Sequence, residues 1–234
     1  MKRYAVLTGD LIESRTLTSA MRMELLQWLK SIAEDFSHLH RDAMVGKPEI
    51  FRGDSWQLCL QEPALAVEAA VFIRAGLKAH HARKRIDTRI GIGIGAADMI
   101  SKDRISESNG EAFLLSGDAL DSLDRDLNLS LKAPENSPAV AALAKAAVPL
   151  LDLAINRWSH VESVAVFGVL SGWTQQETAE HALLRRADGS HPSRQSVAKA
   201  LERIHWSSHL EPVLEACRRF LIKKNKKQAQ RSNP

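Results

Sequence analysis

The sequence predicts an α+β domain followed by an all-helical one, and three observations carry that division. Short runs rich in β formers alternate with amphipathic helical patterns up to about residue 132, whereas later residues show helical periodicity only. Between the two lies Pro134-Glu135-Asn136-Ser137-Pro138, a composition suited to a linker. The charge also changes sign there: residues 1–135 hold 18 Lys and Arg against 20 Asp and Glu, and residues 136–234 hold 14 against 8. The expected units are therefore 1–134, a helical 135–222 and a basic tail 223–234. A length of 234 residues, 44% hydrophobic and 26% charged, is enough for one large domain or two small ones and argues against a disordered or fibrous chain. No uninterrupted apolar stretch approaches the ~20 residues that cross a bilayer. The N-terminal MKRYAVLTGD has too short an apolar core for a signal peptide. Two distant cysteines, Cys59 and Cys217, exclude a disulfide scaffold or zinc knuckle, and a cytoplasmic location is expected.

Taken in order, residues 3–9 form a buried strand that ends at Gly9-Asp10. Met21, Leu25, Leu29, Ile32, Phe36 and Leu39 recur at three- and four-residue steps, one face of a helix over 18–40 that Thr18 or Ser19 can cap. Two strand-like runs, 48–53 and 55–60, flank Gly53-Asp54 as a hairpin would. Pro63 opens a second helix carrying Leu65, Ala69, Phe72, Ile73 and Leu77, with Arg83-Lys84-Arg85 at its C-terminal end. In RIGIGIGAADMI, residues 89–100, isoleucines alternate with glycines; a strand face without side chains invites close approach by a backbone, a helix or a ligand. A helix over 109–123 and a strand over 128–131 complete the first unit. Trp56 reads as core.

Asp10 follows the first strand and Asp54 sits at the hairpin tip. If those strands are neighbours, two carboxylates meet at one end of a sheet, where they repel unless a cation or proton intervenes. Hard oxygen donors suit Mg²⁺, which keeps one or two carboxylates and fills its other positions with phosphate and water. Either Asp alone would do no more than stabilise a turn. Arg15 and Arg52 stand near the pair in sequence and can grip a polyphosphate, and Ser55 can add a hydroxyl.

The pieces VLTGDLIES, IFRGDSWQL and RIGIGIGAA occur in the order and spacing that resemble the catalytic domain of class III nucleotidyl cyclases. With LTGDLIESR, GDS and a late helical motif, the chain looks still more like the SatD family, which shares that layout. The resemblance covers roughly residues 3–132. It implies a ferredoxin-like or cyclase-like antiparallel sheet with helices on one face, metal ligation by Asp10 and Asp54, a nucleotide-type ligand and a homodimer. Departures accompany it. Where active cyclases place a base-reading Lys, this chain has Ile50; where they place an Asn and an Arg that stabilise the reacting phosphorus, it has Leu114 and Asp118. An anionic side chain in place of that Arg opposes phosphoryl transfer. Binding without turnover is the expectation.

In the helical part, residues 159–171 form one helix. TQQETAEHALL opens the next with a capping box, Thr174 and Glu177, and Ser193 opens a third. These resemble a helix-turn-helix. Ala179 takes the small position where the helices cross, and Val197 and Leu201 take the buried face of the recognition helix. Arg194, Gln195, Lys199 and Arg203 take its polar face toward DNA. The connection, 185–192, is longer than the usual three or four residues. Four lysines within 223–227 would add salt-sensitive affinity for DNA. The whole reads as a ligand-responsive transcription regulator. Its rivals are an active cyclase or another metal-dependent phosphoryl-transfer enzyme, and a helical protein-interaction module.

Overall fold

A computed structural model describes residues 2–222, except 42, 52, 82, 83, 85, 136, 186 and 187. Arg52, two of the three cations expected after the second helix and the lysine-rich tail lie outside the described residues.

The run of β formers after Lys2 makes β1 (Arg3–Leu11) the middle of a five-stranded sheet, with Ala5, Val6 and Leu7 fully buried. β2 (Met44–Phe51) and β3 (Ser55–Leu60) form the expected hairpin, turned at Gly53 in a positive-φ conformation that glycine adopts without strain. β1 pairs antiparallel with β3 on one side and with β4 (Thr88–Ala96) on the other. β5 (Leu129–Lys132) adds at the far edge, giving the order β2-β3-β1-β4-β5. One expectation fails here. β5 runs parallel to β4, so the sheet is not wholly antiparallel; the chain returns through a crossover helix, which a parallel neighbour requires.

That helix, α3 (Glu111–Asp121), also overturns the expectation of helices on one face. α1 (Ser19–Leu39) and α2 (Ala66–His80) cover the face on which Ile90, Ile92 and Ile94 are buried, and α3 lies on the opposite one. The alternating glycines are the reason. A methyl group at Gly91 or Gly93 would collide with the α3 backbone at Ala112, Ser116 and Leu120. The sheet and helix touch main chain to main chain. Thr8 and Ser116 seal the contact with a buried hydroxyl–hydroxyl hydrogen bond of 2.8 Å.

The C-terminal helices do not stand apart. They are α4 (Pro138–Lys145), α5 (Ala147–Arg157), α6 (His160–Leu170), α7 (Gln175–Glu180), α8 (Arg194–Arg203) and α9 (Glu211–Ile222). α2 is buried on nearly every side, from Ala66 to Ala79, the condition of a helix between two layers. The sheet and α1 lie against one side and α6 against the other. Phe36, Phe72, Phe167 and Trp173 form a chain of ring contacts across these layers, with centroids 5.4, 4.7 and 5.6 Å apart. Val148, Leu151, Ile155, Val164, Val197 and Leu201 belong to the same hydrophobic core as the sheet. A separate all-helical domain is therefore not what the packing displays.

Residues 138–157 are apolar enough, at a mean hydropathy of 1.7, and long enough to cross a bilayer by those criteria alone. The stretch is nevertheless broken into α4 and α5 at Ala146, and α5 carries the fully buried Asp152.

Candidate functional site

The register of the sheet brings the sequence-predicted acids to one end. Asp10, the penultimate residue of β1, stands opposite Ser55 on β3, and Asp54 precedes Ser55 in the hairpin. On the other side Asp10 stands opposite Arg89, the second residue of β4. The Arg89 guanidinium holds Asp10 with both forks, Nε to Oδ1 at 2.9 Å and Nη2 to Oδ2. A hydrogen bond from Arg89 to Asp10, burial acting against it, and the charges of Asp10, Asp121 and Asp54 together raise the Arg89 pKa above its usual value. Asp10 bonds the guanidinium directly, and Asp121 and Asp54 act on it through their charge. Asp54 accepts a hydrogen bond from the Ser14 hydroxyl.

Ser14 begins a short 3₁₀ turn, Ser14–Thr16, that follows β1. Its entry residue Glu13 is left-handed (φ 54°, ψ 28°), a conformation uncommon outside glycine and found where a chain must turn sharply. Ser14 is buried by this turn, while Glu13 and Arg15 are exposed. Thr88 fixes the strand ends: its hydroxyl donates to the Asp10 carbonyl at 2.6 Å and accepts from the indole of Trp56 at 2.9 Å. Trp56 is fully buried, so it is core as expected.

Arg89 is the residue that sequence reading missed. It opens the glycine-alternating run with no local signal of its own, and only the pairing of β1 with β4 places it against Asp10. The donor set of two carboxylates flanked by hydroxyls suits a hard divalent cation. In this structure Asp10 already has a resident cation, so an external ion must share it with the guanidinium or displace the guanidinium. Among the described residues, no cluster of three His, Cys, Asp or Glu side chains is arranged to hold a metal.

The three departure positions are equally informative. Ile50 packs partly buried against the core. Leu114 and Asp118 lie on the outward side of α3; Leu114 is 73% exposed. The Lys132 ammonium donates to the Asp118 carbonyl at 2.7 Å, an acceptor near the end of α3 that also takes the Ser122 amide at 3.2 Å.

In the helical part both capping-box residues are in place. The Thr174 hydroxyl accepts from the Glu177 amide, and the Glu177 carboxylate accepts from the Thr174 amide. The helix that follows is shorter than the sequence suggested. It ends at Glu180 because His181 is extended and starts a separate 3₁₀ turn by accepting from the Leu183 amide. α8 buries Val197, Ala200 and Leu201 and exposes Arg194, Gln195, Lys199 and Arg203. Two of those four are engaged. Arg203 donates to Glu162 at 3.0 Å, and Arg194 reaches Gln175 at 3.4 Å. Glu162 also caps α6 through Ser159. Burial would raise its pKa, but these hydrogen bonds, from Ser159 and Arg203, hold it below the usual carboxylate value.

No protein-family model and no curated protein matches the chain. Among solved structures, it is similar to one titled "Crystal structure of the guanylyl cyclase Cya2", with 17% identity and a TM-score of 0.44 over 61% of this chain and 78% of that one. It is also similar to "Structure of a bacterial light-regulated adenylyl cylcase", with 16% identity and a TM-score of 0.40 over 62% of this chain. It spans 45% of the latter's length.

Proposed function

We propose that the Asp10–Asp54 end of the sheet binds a divalent cation with a nucleotide-type ligand and does not turn it over, and that the C-terminal helices bind DNA, making the protein a ligand-responsive transcription regulator. One observation carries the first half: β1, β3 and β4 converge Asp10, Asp54 and Arg89 at one sheet end, alternating negative and positive groups as a cation and a polyphosphate together require. Asp10 and Asp54 would hold Mg²⁺, with Ser14 and Ser55 close by; Arg89 and Arg15 would face the phosphates. The bound ion would neutralise phosphate charge. Ile50, Leu114 and Asp118 supply neither a base-reading ammonium nor a cation for the reacting phosphorus, which favours binding over catalysis.

The DNA half is supported by the exposed α8 face. Gln195 and Lys199 would reach base edges and phosphates, and Arg203, tied to Glu162, would orient the helix. Two copies related by a two-fold axis would present two such helices to a palindromic site.

Thermal melting with Mg²⁺ or Mn²⁺ and a panel of nucleoside triphosphates tests the first half. One nucleotide is expected to raise the midpoint only with the ion present, and Asp54→Ala is expected to abolish the rise. A cyclic product that forms in the same mixtures and is lost in Asp54→Ala would replace this reading with an active cyclase. Electrophoretic shift of genomic fragments at several salt concentrations tests the second half. Retardation that weakens with salt and with Lys199→Ala is expected; no retardation at low salt would leave a protein-interaction module.

A further inference from the structure

The residue that precedes the acidic site, Asp87, belongs to a second charge cluster that the proposed function does not use. Arg74 of α2 is fully buried. It donates Nε and Nη2 to the two carboxylate oxygens of Asp87 at 2.9 and 2.7 Å. Its Nη1 donates to Asp152 of α5 at 2.6 Å and its Nη2 to Asn156 at 2.6 Å. The other Asp152 oxygen accepts the Asn128 amide at 2.8 Å, and the Asn128 side chain donates to Asn156 at 2.9 Å. Lys78 stands 3.6 Å from Asp87. One network thus joins α2, the entry to β4, the approach to β5 and α5. Buried ion pairs seldom stabilise a fold more than apolar residues of the same volume do. What this one supplies is geometry.

That geometry passes directly to the acidic site. The Thr88 amide donates to Asp87 Oδ1 at 2.8 Å, and the Thr88 hydroxyl donates to the Asp10 carbonyl. The Asp87 carbonyl accepts the Ile12 amide at 3.0 Å, at the start of the turn that carries Ser14. Arg89 follows and grips Asp10. Arg74, Asp152 and Asn156 therefore act as positioning residues for a pair they never touch. The Arg89 side chain is 43% exposed, so unlike Arg74 it can exchange its partner for water.

We propose that the Arg74 cluster is a latch: with α5 docked, it holds the Asp87–Arg89 segment where Arg89 neutralises Asp10, and loosening α5 releases Asp10 and Asp54 to an external divalent cation. The proposal rests on the reading of those two acids as a cation site. Coupling is reciprocal, so cation binding would in turn weaken the hold on α5 and alter the placement of the helices beyond it.

The test titrates the full chain with Mn²⁺ alone and compares wild type, Asn156→Ala, Arg89→Gln and the double variant, each first checked for cooperative melting. Asn156→Ala keeps both Arg74 ion pairs, so it loosens α5 without leaving a buried charge unpaired. The latch predicts that Asn156→Ala tightens Mn²⁺ binding about five-fold, the lower end of common coupling energies. Arg89→Gln also tightens it, and Asn156→Ala then adds nothing further, because the group it acts through is gone. An unchanged affinity in Asn156→Ala, or an equal gain with and without Arg89, overturns the latch. If no form binds Mn²⁺, the cation reading fails by itself. Amide exchange then decides the latch: exchange at Ile12 and Thr88 about five-fold faster in Asn156→Ala upholds it, and unchanged exchange at both overturns it.

Discussion

Arg74 and Arg89 each engage aspartates at the two ends of the Asp87–Arg89 segment, Arg74 by bonding Asp87 and Arg89 by belonging to it, yet they stand in opposite surroundings. Arg74 of α2 is sealed beneath α5, with every guanidinium nitrogen bonded to a protein oxygen. Arg89 holds one aspartate, senses two more, and faces solvent along nearly half its side chain. The lesson is that burial, more than the pairing itself, decides what an ion pair can do. A sealed cluster has no water to replace a lost partner, so it behaves as a rigid joint. An exposed pair is close to isoenergetic with its hydrated components and can be opened by a ligand.

The sharpest way to break that contrast is to remove one acid from each cluster. Asp152→Ala strands part of the Arg74 charge and the Asn128 amide in the interior; a loss of about 3–5 kcal/mol in urea-induced unfolding is expected. Asp10→Ala removes a partner from a half-exposed arginine, and a loss below about 1 kcal/mol is expected. Equal losses would mean that the two clusters are energetically alike and that the contrast carries no weight.

A second test concerns the platform under the exposed site. β4 brings Arg89 to Asp10 while its glycines let α3 sit on the strand backbone. Gly93→Ala inserts a methyl group against Ala112 and Ser116, and such overpacking costs about 1–3 kcal/mol. Ile92→Val, on the opposite face, removes a methyl group from the core; its cost is about 1 kcal/mol. The same denaturant titration separates them.

These residues also show how far the sequence could be read. The hairpin at Gly53-Asp54, the long first helix and the capping box at Thr174 were legible because turn residues, three-to-four periodicity and side-chain caps are local signals. The glycines of β4 signalled a close approach, and α3 is what approaches. Asp10 and Asp54 were legible for the same reason: each follows a glycine at a strand end. Arg74 was not, because its partners lie 13, 78 and 82 residues away and nothing in their spacing betrays a contact. That the helices after Pro134 share the core of the sheet was not legible either, for a related reason. A Pro-rich connection marks where the chain turns, and says nothing about whether the helices beyond it pack back onto α2.

The docking of the last helix offers a pH test of the same principle. Glu68 of α2 is buried beneath α9, bonded to Arg218 and 3.2 Å from His40. Burial would raise its pKa, but hydrogen bonds from His40 and Arg218 and the charge on Arg218 hold it below the ordinary 4.5. A carboxyl depressed in the folded state contributes stability above its unfolded pKa and loses it as pH falls through the folded value. Unfolding titrations below pH 4.5 are therefore expected to show an acid loss of about 1 kcal/mol, since Arg218 is partly exposed. Glu68→Gln is expected to remove that pH dependence; an unchanged acid limb in the variant would place its origin elsewhere.

The smallest expected effect is also the most discriminating about the acidic end. Glu13 and Arg41 are both exposed and both left-handed, with φ of 54° and 52°. Replacing either by glycine relieves about 1–2 kcal/mol of backbone strain and adds back about 0.5–1 kcal/mol of unfolded-state entropy. Each variant should gain about 0.7 kcal/mol in stability, the middle of a difference that runs from about 0 to about 1.5 kcal/mol. Only Glu13 lies between Asp10 and Ser14. Glu13→Gly removes one negative charge beside the acid pair, so its Mn²⁺ affinity should fall while its stability rises, whereas Arg41→Gly should gain stability with no change in Mn²⁺ affinity. Opposite movement of the two quantities at one position, and not at the other, would mark the left-handed turn after β1 as part of the cation site; parallel behaviour at both would reduce it to a loop.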